Sequence, residues 1–266
     1  MIESSKRSLK KQSITLLLVF AICLSLPLYA QRGARGAGGG GAGRQNAPID
    51  LTGYWVSVIN EDWEFRMVTP DKGIYDTLNL SAEGRRVAGT WDPARDEAAG
   101  EQCRAYGAAN LMRLPSRLHI TWENDTTLRI DVDTGTQTRL FHFGGTPPSA
   151  PQPSWQGYSA AEWELAPGGA RGGARGAAAP TRQGNLKVVT TQLRPGYVRK
   201  NGAPYSDRTT VTEYYDLNSL PNGDQWISIT TKVEDPVYST RPYITTTDFK
   251  KLPDATGWNP TPCSAK

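Results

Sequence analysis

Short segments with alternating polar and apolar side chains follow one another along most of this chain and constrain its fold more than any other feature. They are rich in β-branched and aromatic residues, and turn-forming stretches such as Pro221-Asn222-Gly223 separate several of them. This pattern is typical of half-buried antiparallel strands. The candidate strands cover residues 53–59, 63–69, 117–123, 127–133, 136–143, 186–193, 209–217, 225–235 and 242–250. The sequence therefore predicts a mainly β fold, either an antiparallel barrel or a sandwich of about eight or nine strands.

One stretch, residues 81–112, departs from the strand pattern. Ser81 is suited to cap a helix that has Glu83 in its first turn, and Asp92-Pro93 are residues favoured at the start of a second helix. We therefore predict a helical insert of one or two helices over 81–112. Such an insert could cover one end of a barrel.

The first thirty residues have the pattern of an export signal. Four basic residues between Lys6 and Lys11 precede an apolar run over residues 14–28, and Ala30 provides a small residue at its end. This order is typical of a signal peptide, and the run is shorter than the roughly 20 residues that a membrane span needs. We predict cleavage after Ala30. The mature protein is then periplasmic or secreted and has no transmembrane segment.

Two tracts, residues 31–47 and 167–184, consist largely of Gly, Ala and Arg and contain no acidic residue. Such sequences bury too little apolar surface to offset the entropy lost on ordering. The first tract is predicted to be a disordered linker after the signal at 1–30. The second belongs to a predicted flexible loop over 145–184. Residues 48–266, which include this loop, are predicted to form a single β domain.

The distribution of charge bears on the partners of the protein. Outside the signal peptide and the two arginine tracts, the chain carries a net charge of −5. An acidic body does not suit a phosphate-binding face, so no nucleic-acid partner is expected. The arginine tracts could make weak contact with anionic polymers of the cell envelope.

Two cysteines, Cys103 and Cys263, remain once the signal that contains Cys23 is removed. A pair of cysteines in an oxidising compartment favours a disulfide, and two buried free thiols are the alternative. A bridge across so long a loop would stabilise the fold by at most roughly 5 kcal/mol on the chain-entropy model.

The motifs of common catalytic and metal sites are missing from the sequence. The chain has two histidines, His119 and His142, and neither a Cys-x-x-Cys nor a His-Glu-x-x-His motif. It also contains neither a Gly-x-Ser-x-Gly nucleophile motif nor a phosphate-binding glycine loop after a strand. We therefore predict no metal, no cofactor and no catalytic residue.

Aromatic residues occur on almost every candidate strand and suggest a binding site. Alternation places Glu213 and Tyr215 on one face of their strand and Trp226 on the more polar face of the next. A barrel of about eight strands can enclose a small ligand, and pockets combine aromatic walls with a few polar groups. We predict a non-catalytic protein that binds a small, partly apolar ligand in an aromatic-lined lumen. The predicted ligand contacts are Trp55, Trp63, Arg66, His119, Trp122, Glu213, Tyr215 and Trp226.

Two other functions stay open at this point. An enzyme could use the same cavity, with Glu213 or His119 as a general base. An envelope-associated interaction module would need no pocket. A shared interior for Glu213, Tyr215 and Trp226 would favour ligand binding. The same side chains facing solvent, or a barrel centre packed with aliphatic side chains, would favour the interaction module.

The start of the first strand carries a resemblance to known barrels. Gly53-Tyr54-Trp55 resembles the Gly-x-Trp motif of lipocalins, and Leu51-Thr52-Gly53-Tyr54-Trp55 is similar to the opening of avidin-type barrels. The lipocalin resemblance implies a calycin-like barrel in which a late arginine packs on the tryptophan. Arg241 is the candidate for that arginine, and we find no clear counterpart of the Thr-Asp-Tyr element of lipocalins.

A broader resemblance covers most of the mature chain. The sequence resembles secreted β-rich bacterial proteins, common in acidobacteria, in segments 50–55, 80–85, around Cys103, 201–206, 212–215 and 233–236. This resemblance implies export and a single β domain. It implies no known activity and no catalytic residues.

Overall fold

The computed structural model describes residues 43–149, 152–165 and 184–266. These residues all belong to one compact unit, Gly40–Lys266. The predicted signal peptide, the first tract as far as residue 42 and the arginine-rich stretch 166–183 lie outside the described residues.

The described residues form eleven strands and three short α-helices. The strands are β1 (Gly53–Val58), β2 (Arg117–Asn124), β3 (Thr127–Val132), β4 (Gln137–Phe143), β5 (Tyr158–Leu165), β6 (Gly184–Thr191), β7 (Gly196–Arg199), β8 (Ala203–Tyr205), β9 (Thr210–Ser219), β10 (Gln225–Glu234) and β11 (Tyr243–Leu252). The helices are α1 (Trp63–Met67), α2 (Ala82–Ala88) and α3 (Pro93–Ala98), with a single 3-10 turn at Leu111–Arg113.

Nine of these strands close into a barrel in the order β1-β11-β10-β9-β6-β5-β4-β3-β2. Neighbouring strands are antiparallel except β4 and β5, which are parallel. A closed ring with an odd number of strands cannot alternate direction all the way round, so one parallel pair is required. The chain crosses over between the end of β4 at Phe143 and the start of β5 at Tyr158, as this pair needs. The mixed barrel confirms the predicted mainly β barrel class and rules out the sandwich.

Eight of the nine predicted strands are present, with small shifts at their ends. Segment 63–69 is an exception, because it forms helix α1 after Asp62, whose φ of 47° turns the chain away from the extended conformation. The flexible loop predicted over 145–184 is wrong in part, because it contains strand β5. Its inward positions Ser159 and Ala161 are small, which hides the usual alternation of strand residues.

Large apolar side chains fill the interior of the barrel. They come from alternate positions of successive strands and form one continuous buried cluster. Its largest members on the barrel strands include Trp55, Leu118, Ile120, Leu128, Ile130, Phe141, Leu186, Tyr215, Ile227, Ile229 and Phe249. The barrel centre is therefore a packed core.

One end of the barrel is covered by residues 59–116, 192–209 and 235–242, which together we term the cap. The cap contains the three helices and the β7–β8 hairpin. A second buried cluster joins the cap to the barrel end through Val211 and Val233 on the strands. Helices α2 and α3 lie within the predicted insert at 81–112, and both belong to this cover.

Side-chain caps explain where the two longer helices begin. The Ser81 hydroxyl accepts a hydrogen bond from the Gly84 amide at 3.0 Å, as predicted for α2. The Asp92 carboxylate accepts from the Ala94 amide at 3.0 Å at the start of α3. Helix α2 packs closely on the cap turn at 235–242, since a Cβ at Gly84 would collide with the Tyr238 carbonyl.

Cys103 and Cys263 form the predicted disulfide. It joins the cap to the C-terminal segment that follows β11. The same segment is attached to the barrel by a hydrogen bond from the Thr261 amide to the Asp133 carbonyl at 3.0 Å. The bridge therefore ties together parts of the fold that are 160 residues apart in sequence.

Candidate functional site

The residues predicted to line the lumen do not share one cavity. Glu213 and Tyr215 point into the barrel and are fully buried, but Trp226 lies on the outer face of β10. Strand register explains the difference, because Ile229 is paired with Tyr215 and turns inward with Ile227. The expectation that Glu213, Tyr215 and Trp226 face one shared interior is therefore wrong.

The interior carboxylate of Glu213 is held by Arg139, which is also fully buried. The Arg139 Nη1 and Nη2 atoms donate to the two Glu213 oxygens at 2.8 and 2.6 Å. Tyr215 donates from its hydroxyl to Glu213 Oε1 at 3.3 Å, and Arg139 donates to the Thr190 hydroxyl at 3.2 Å. Burial, followed by the charge of Glu213, raises the pKa of Tyr215 well above its ordinary value. This group is a neutralised polar layer inside the core.

The other predicted contacts are dispersed over the molecule. Trp63 is 66% exposed on α1, and Trp122 packs against Phe143 near the barrel end opposite the cap, with ring centres 5.4 Å apart. His119 lies on the outside of the barrel, where its ring stacks on Tyr54 at 4.1 Å. Arg66 is buried in the cap.

Both candidate general bases are engaged in contacts with the protein, and Glu213 lacks the access that catalysis needs. Both Glu213 oxygens are bound by Arg139 in the barrel interior. The His119 ring stacks on Tyr54 of β1 and meets Trp258 edge-on, with ring centres 6.3 Å apart. A general base must come within hydrogen-bond reach of its substrate. This arrangement gives both residues structural contacts.

The Gly-x-Trp segment has a clear structural basis. Gly53 has a φ of 113°, a conformation that favours glycine, and Trp55 is buried with its indole N–H donating to the Leu51 carbonyl at 3.0 Å. Lys251 lies over the Trp55 ring at 5.3 Å. Arg241, the expected partner of this tryptophan, instead donates to Asn79 on the cap surface. Lysine therefore takes the place that the lipocalin resemblance assigns to arginine.

The cap contains a cleft of about 140 Å³ between the α2–α3 region and the β7–β8 hairpin. We term it the aromatic cleft. Four rings and an acid–base pair define it, and these belong to Trp91, Asp96, Arg104, Tyr197, Tyr205 and Tyr238. The combination of aromatic walls with a few polar groups is typical of small-molecule sites.

Asp96 is the polar centre of the aromatic cleft. It is buried on α3, where its two oxygens accept from Arg104 Nη1 at 3.1 Å and from the Tyr197 hydroxyl at 2.8 Å. The Arg104 guanidinium also lies over the Tyr197 ring, 4.6 Å from its centre. Burial and the hydrogen bond to Asp96 both raise the pKa of Tyr197, so its hydroxyl stays protonated and donates.

Three hydrogen-bond donors on the residues that line this cleft are left without a partner in the described part of the chain. Trp91 Nε1, Arg104 Nε and the Tyr205 hydroxyl are buried and have no hydrogen-bond partner among the described residues. Burial raises the pKa of Tyr205, which keeps its hydroxyl protonated. Gly107 and Gly196 allow this close packing, since a Cβ at either would collide with the Tyr205 hydroxyl. A ligand with acceptor oxygens would complement these donors.

Reasoning from the sequence did not find the aromatic cleft. Its residues come from segments separated by up to about 150 positions, and only the cap brings them together. The Asp92-Pro93 helix start lies beside Trp91 and was the one local signal at this place. Nothing in the spacing of Arg104, Tyr197 or Tyr238 indicated that they meet.

In residues 43–149, 152–165 and 184–266, no group of three or more His, Cys, Asp or Glu side chains is placed to hold a metal ion. None of the helices in those ranges is long and apolar enough to cross a membrane. Comparisons with protein-family models, curated proteins and solved structures found no match.

Proposed function

We propose that this protein is an exported, non-catalytic β-barrel protein that binds a small, partly apolar ligand in the aromatic cleft of its cap. The observation that carries the proposal is a cleft with aromatic walls around the Asp96–Arg104–Tyr197 group. Its volume of about 140 Å³ is close to that of an apolar cavity known to hold one benzene molecule. The cleft therefore suits a single ring, or one ring of a larger ligand.

The polar groups of the cleft restrict the ligand further. Asp92, Asp96, Arg95 and Arg104 contribute equal numbers of acids and bases, so the lining has no net formal charge. The donors without partners on Trp91, Arg104 and Tyr205 favour a ligand with acceptor oxygens. We propose a ring compound that bears a carbonyl or carboxylate group.

The test uses benzamide as a probe, because it combines one aromatic ring with a neutral carbonyl acceptor. We expect saturable binding to the mature protein, measured by calorimetry and tryptophan fluorescence. Tyr205→Phe removes only the hydroxyl, which has no protein partner, so the fold is retained. Because one hydrogen bond to the ligand is lost, the variant is expected to bind benzamide roughly tenfold more weakly.

Trp226→Phe is the matched control, because Trp226 lies on the outer face of β10 and does not line the cleft. It is expected to leave benzamide affinity unchanged. Equal affinities for the Tyr205→Phe and Trp226→Phe proteins, or no saturable binding of the probe to the unmutated protein, would contradict the proposal.

Export is part of the proposal and rests on the signal-like pattern before Ala30. The Cys103–Cys263 disulfide supports it, because such bonds persist mainly in oxidising compartments. Sequencing of the exported protein from its host is expected to begin at Gln31. A terminus at Met1, or recovery from the cytosol alone, would count against export.

A second candidate function, an envelope-associated interaction module, is favoured by a different observation. Trp63, Met67 and Val68 are 66%, 60% and 67% exposed on and just after α1. Grouped exposed apolar side chains can mark an interaction surface. The Trp63→Ser/Met67→Ser variant is expected to release the protein from the envelope fraction of its host if this surface is used, and unchanged retention would exclude that role.

A further inference from the structure

Three buried guanidinium groups surround a second, smaller cavity of the cap. The cavity measures about 30 Å³ and lies beside Arg66 on α1, Arg113 of the 3-10 turn and Arg199 on β7. These three residues are only 6%, 5% and 5% exposed. We term this place the arginine pocket; Lys200 adds a fourth basic group to its lining.

The three arginines are satisfied to different degrees. Arg113 is the best satisfied, since it pairs with Asp62 at 3.1 Å and donates to the Thr245 hydroxyl. Arg199 donates to the Thr77 hydroxyl and lies over the Phe65 ring of α1. Arg66 donates from Nε to the Arg113 carbonyl at 3.0 Å. Its two terminal nitrogens, Nη1 and Nη2, have no hydrogen-bond partner among the described residues.

Positive charge exceeds negative charge at the arginine pocket. Among the described residues, neither Arg66 nor Arg199 forms an ion pair within 4.0 Å, and Asp62 is already bonded to Arg113. Burial and then the charge of Arg113 lower the pKa of Arg66, while Glu61, Asp62 and Asp248 act in the opposite direction. Buried charges without a partner are costly, and an anion removes that cost.

We propose that the arginine pocket binds a small oxyanion, namely the phosphate or carboxylate group of a ligand. The planar fork of Arg66 would present Nη1 and Nη2 to two oxygens, in the bidentate manner in which arginine recognises both groups. Arg113 and Arg199 add positive charge around the same oxygens. The small cavity limits the site to a single such group. This site is separate from the aromatic cleft and does not depend on ligand binding there.

The test follows thermal unfolding of the mature protein with added inorganic phosphate or acetate, at an ionic strength kept constant with chloride. An anion that binds the folded state raises the melting temperature by mass action. We expect phosphate, acetate or both to do so. A rise with phosphate alone assigns a phosphate group, a rise with acetate alone assigns a carboxylate, and a rise with both assigns the shared oxyanion chemistry.

Two variants connect the effect to Arg66. Arg66→Met removes the charge, and Arg66→Lys keeps the charge but loses the planar fork, so it serves if the methionine variant does not fold. Either substitution is expected to lower the affinity of the protein for the anion at least about tenfold, because a bidentate charged pair is lost. Arg85→Met, at an exposed position of α2, is the control and is expected to keep the full rise.

Two results would overturn the proposal. One is a melting temperature of the unmutated protein that neither anion changes. The other is an equal rise in the unmutated protein and in both Arg66 variants, which would show a general salt effect. Neither result bears on the binding of benzamide to the aromatic cleft.

Discussion

Asp235 shows how a single carboxylate organises a turn of the cap. Its Oδ1 accepts from the Val237 and Tyr238 amides, both at 2.7 Å. Its Oδ2 accepts from the Ser206 amide and from the Thr209 hydroxyl at 2.5 Å. The residue is buried, so both oxygens are fully used by the protein. This side chain therefore connects the β10–β11 turn to the segment that leads into β9.

The pKa of Asp235 predicts how acid affects stability. Burial raises this pKa, but the hydrogen bonds from Thr209, Ser206 and Tyr238 outweigh burial, so the folded-state pKa lies below its ordinary value. The ionised carboxylate therefore stabilises the fold fully above the unfolded-state pKa of about 4. This contribution is lost as the pH falls from that value through the lower folded-state pKa. Asp235→Asn is expected to cost about 3 kcal/mol at pH 7 and clearly less at pH 3, measured by urea unfolding.

Asp125→Asn is the control for this pH dependence, since Asp125 is exposed in the β2–β3 turn. Its free energy of unfolding is expected to stay within about 0.5 kcal/mol of the unmutated value at each pH. A constant deficit of the Asp235→Asn protein between pH 7 and pH 3 would contradict the proposed role of the charge.

The Arg139–Glu213 pair leads to a second prediction at the residue scale. Loss of one partner leaves an uncompensated charge in the barrel core, so Arg139→Met is expected to cost about 3–5 kcal/mol. The Arg139→Met/Glu213→Leu double variant is expected to be more stable than this single variant, because neither charge remains. Urea unfolding of the four proteins in a double-mutant cycle measures the coupling, and strictly additive losses would refute it.

At the scale of elements, the strands were predictable because they alternate clearly, but their pairing was not. The pattern placed Val211, Glu213 and Tyr215 on one face of β9, and this face is the interior one. The same reasoning took the polar face of β10, with Trp226, to be interior. The register of Ile229 against Tyr215 turns the opposite face inward. Register depends on the whole ring of strands, which no single segment specifies.

The cap was the least predictable part of the fold. The capping side chain of Ser81 indicated α2 correctly, whereas the apolar–polar alternation of 63–69 predicted a strand where α1 forms. Among the predicted contacts, Arg66 alone borders either cavity. Tertiary packing of the cap, rather than local sequence pattern, creates both candidate sites.

The β5–β6 connection allows a prediction about the second arginine tract. Leu165 and Gly184 are paired across the two strands, so the chain leaves and re-enters the barrel at one place. Deletion of 168–179 leaves six residues, which suffice for a hairpin connection. The melting temperature is expected to change by no more than about 2 °C, because closure entropy varies only logarithmically with loop length. A large drop in thermal unfolding experiments would show that the tract packs on the barrel.

At the scale of the whole molecule, the disulfide is expected to be a major source of stability. Its two cysteines are 160 residues apart, and the chain-entropy model gives about 5 kcal/mol for such a loop as an upper value. Cys103→Ser/Cys263→Ser is expected to lower the free energy of unfolding by up to this amount, measured with urea. The control is the unmutated protein with its disulfide reduced, which should lose a similar amount of unfolding free energy. A loss below about 1 kcal/mol in the double variant would contradict the expectation.

The Cys103–Cys263 bond also determines which parts of the protein a mechanical force can reach. Strands β2–β11 all lie between the two cysteines, so a pull on the chain ends bears on residues before Cys103 and after Cys263. Among the described barrel strands, β1 alone lies outside the covalent loop. When the oxidised molecule is stretched, β1 is therefore expected to detach, and extension then stops at the disulfide. Reduction would release about 55 nm of additional contour length, which makes the bond a tether against extension of most of the barrel.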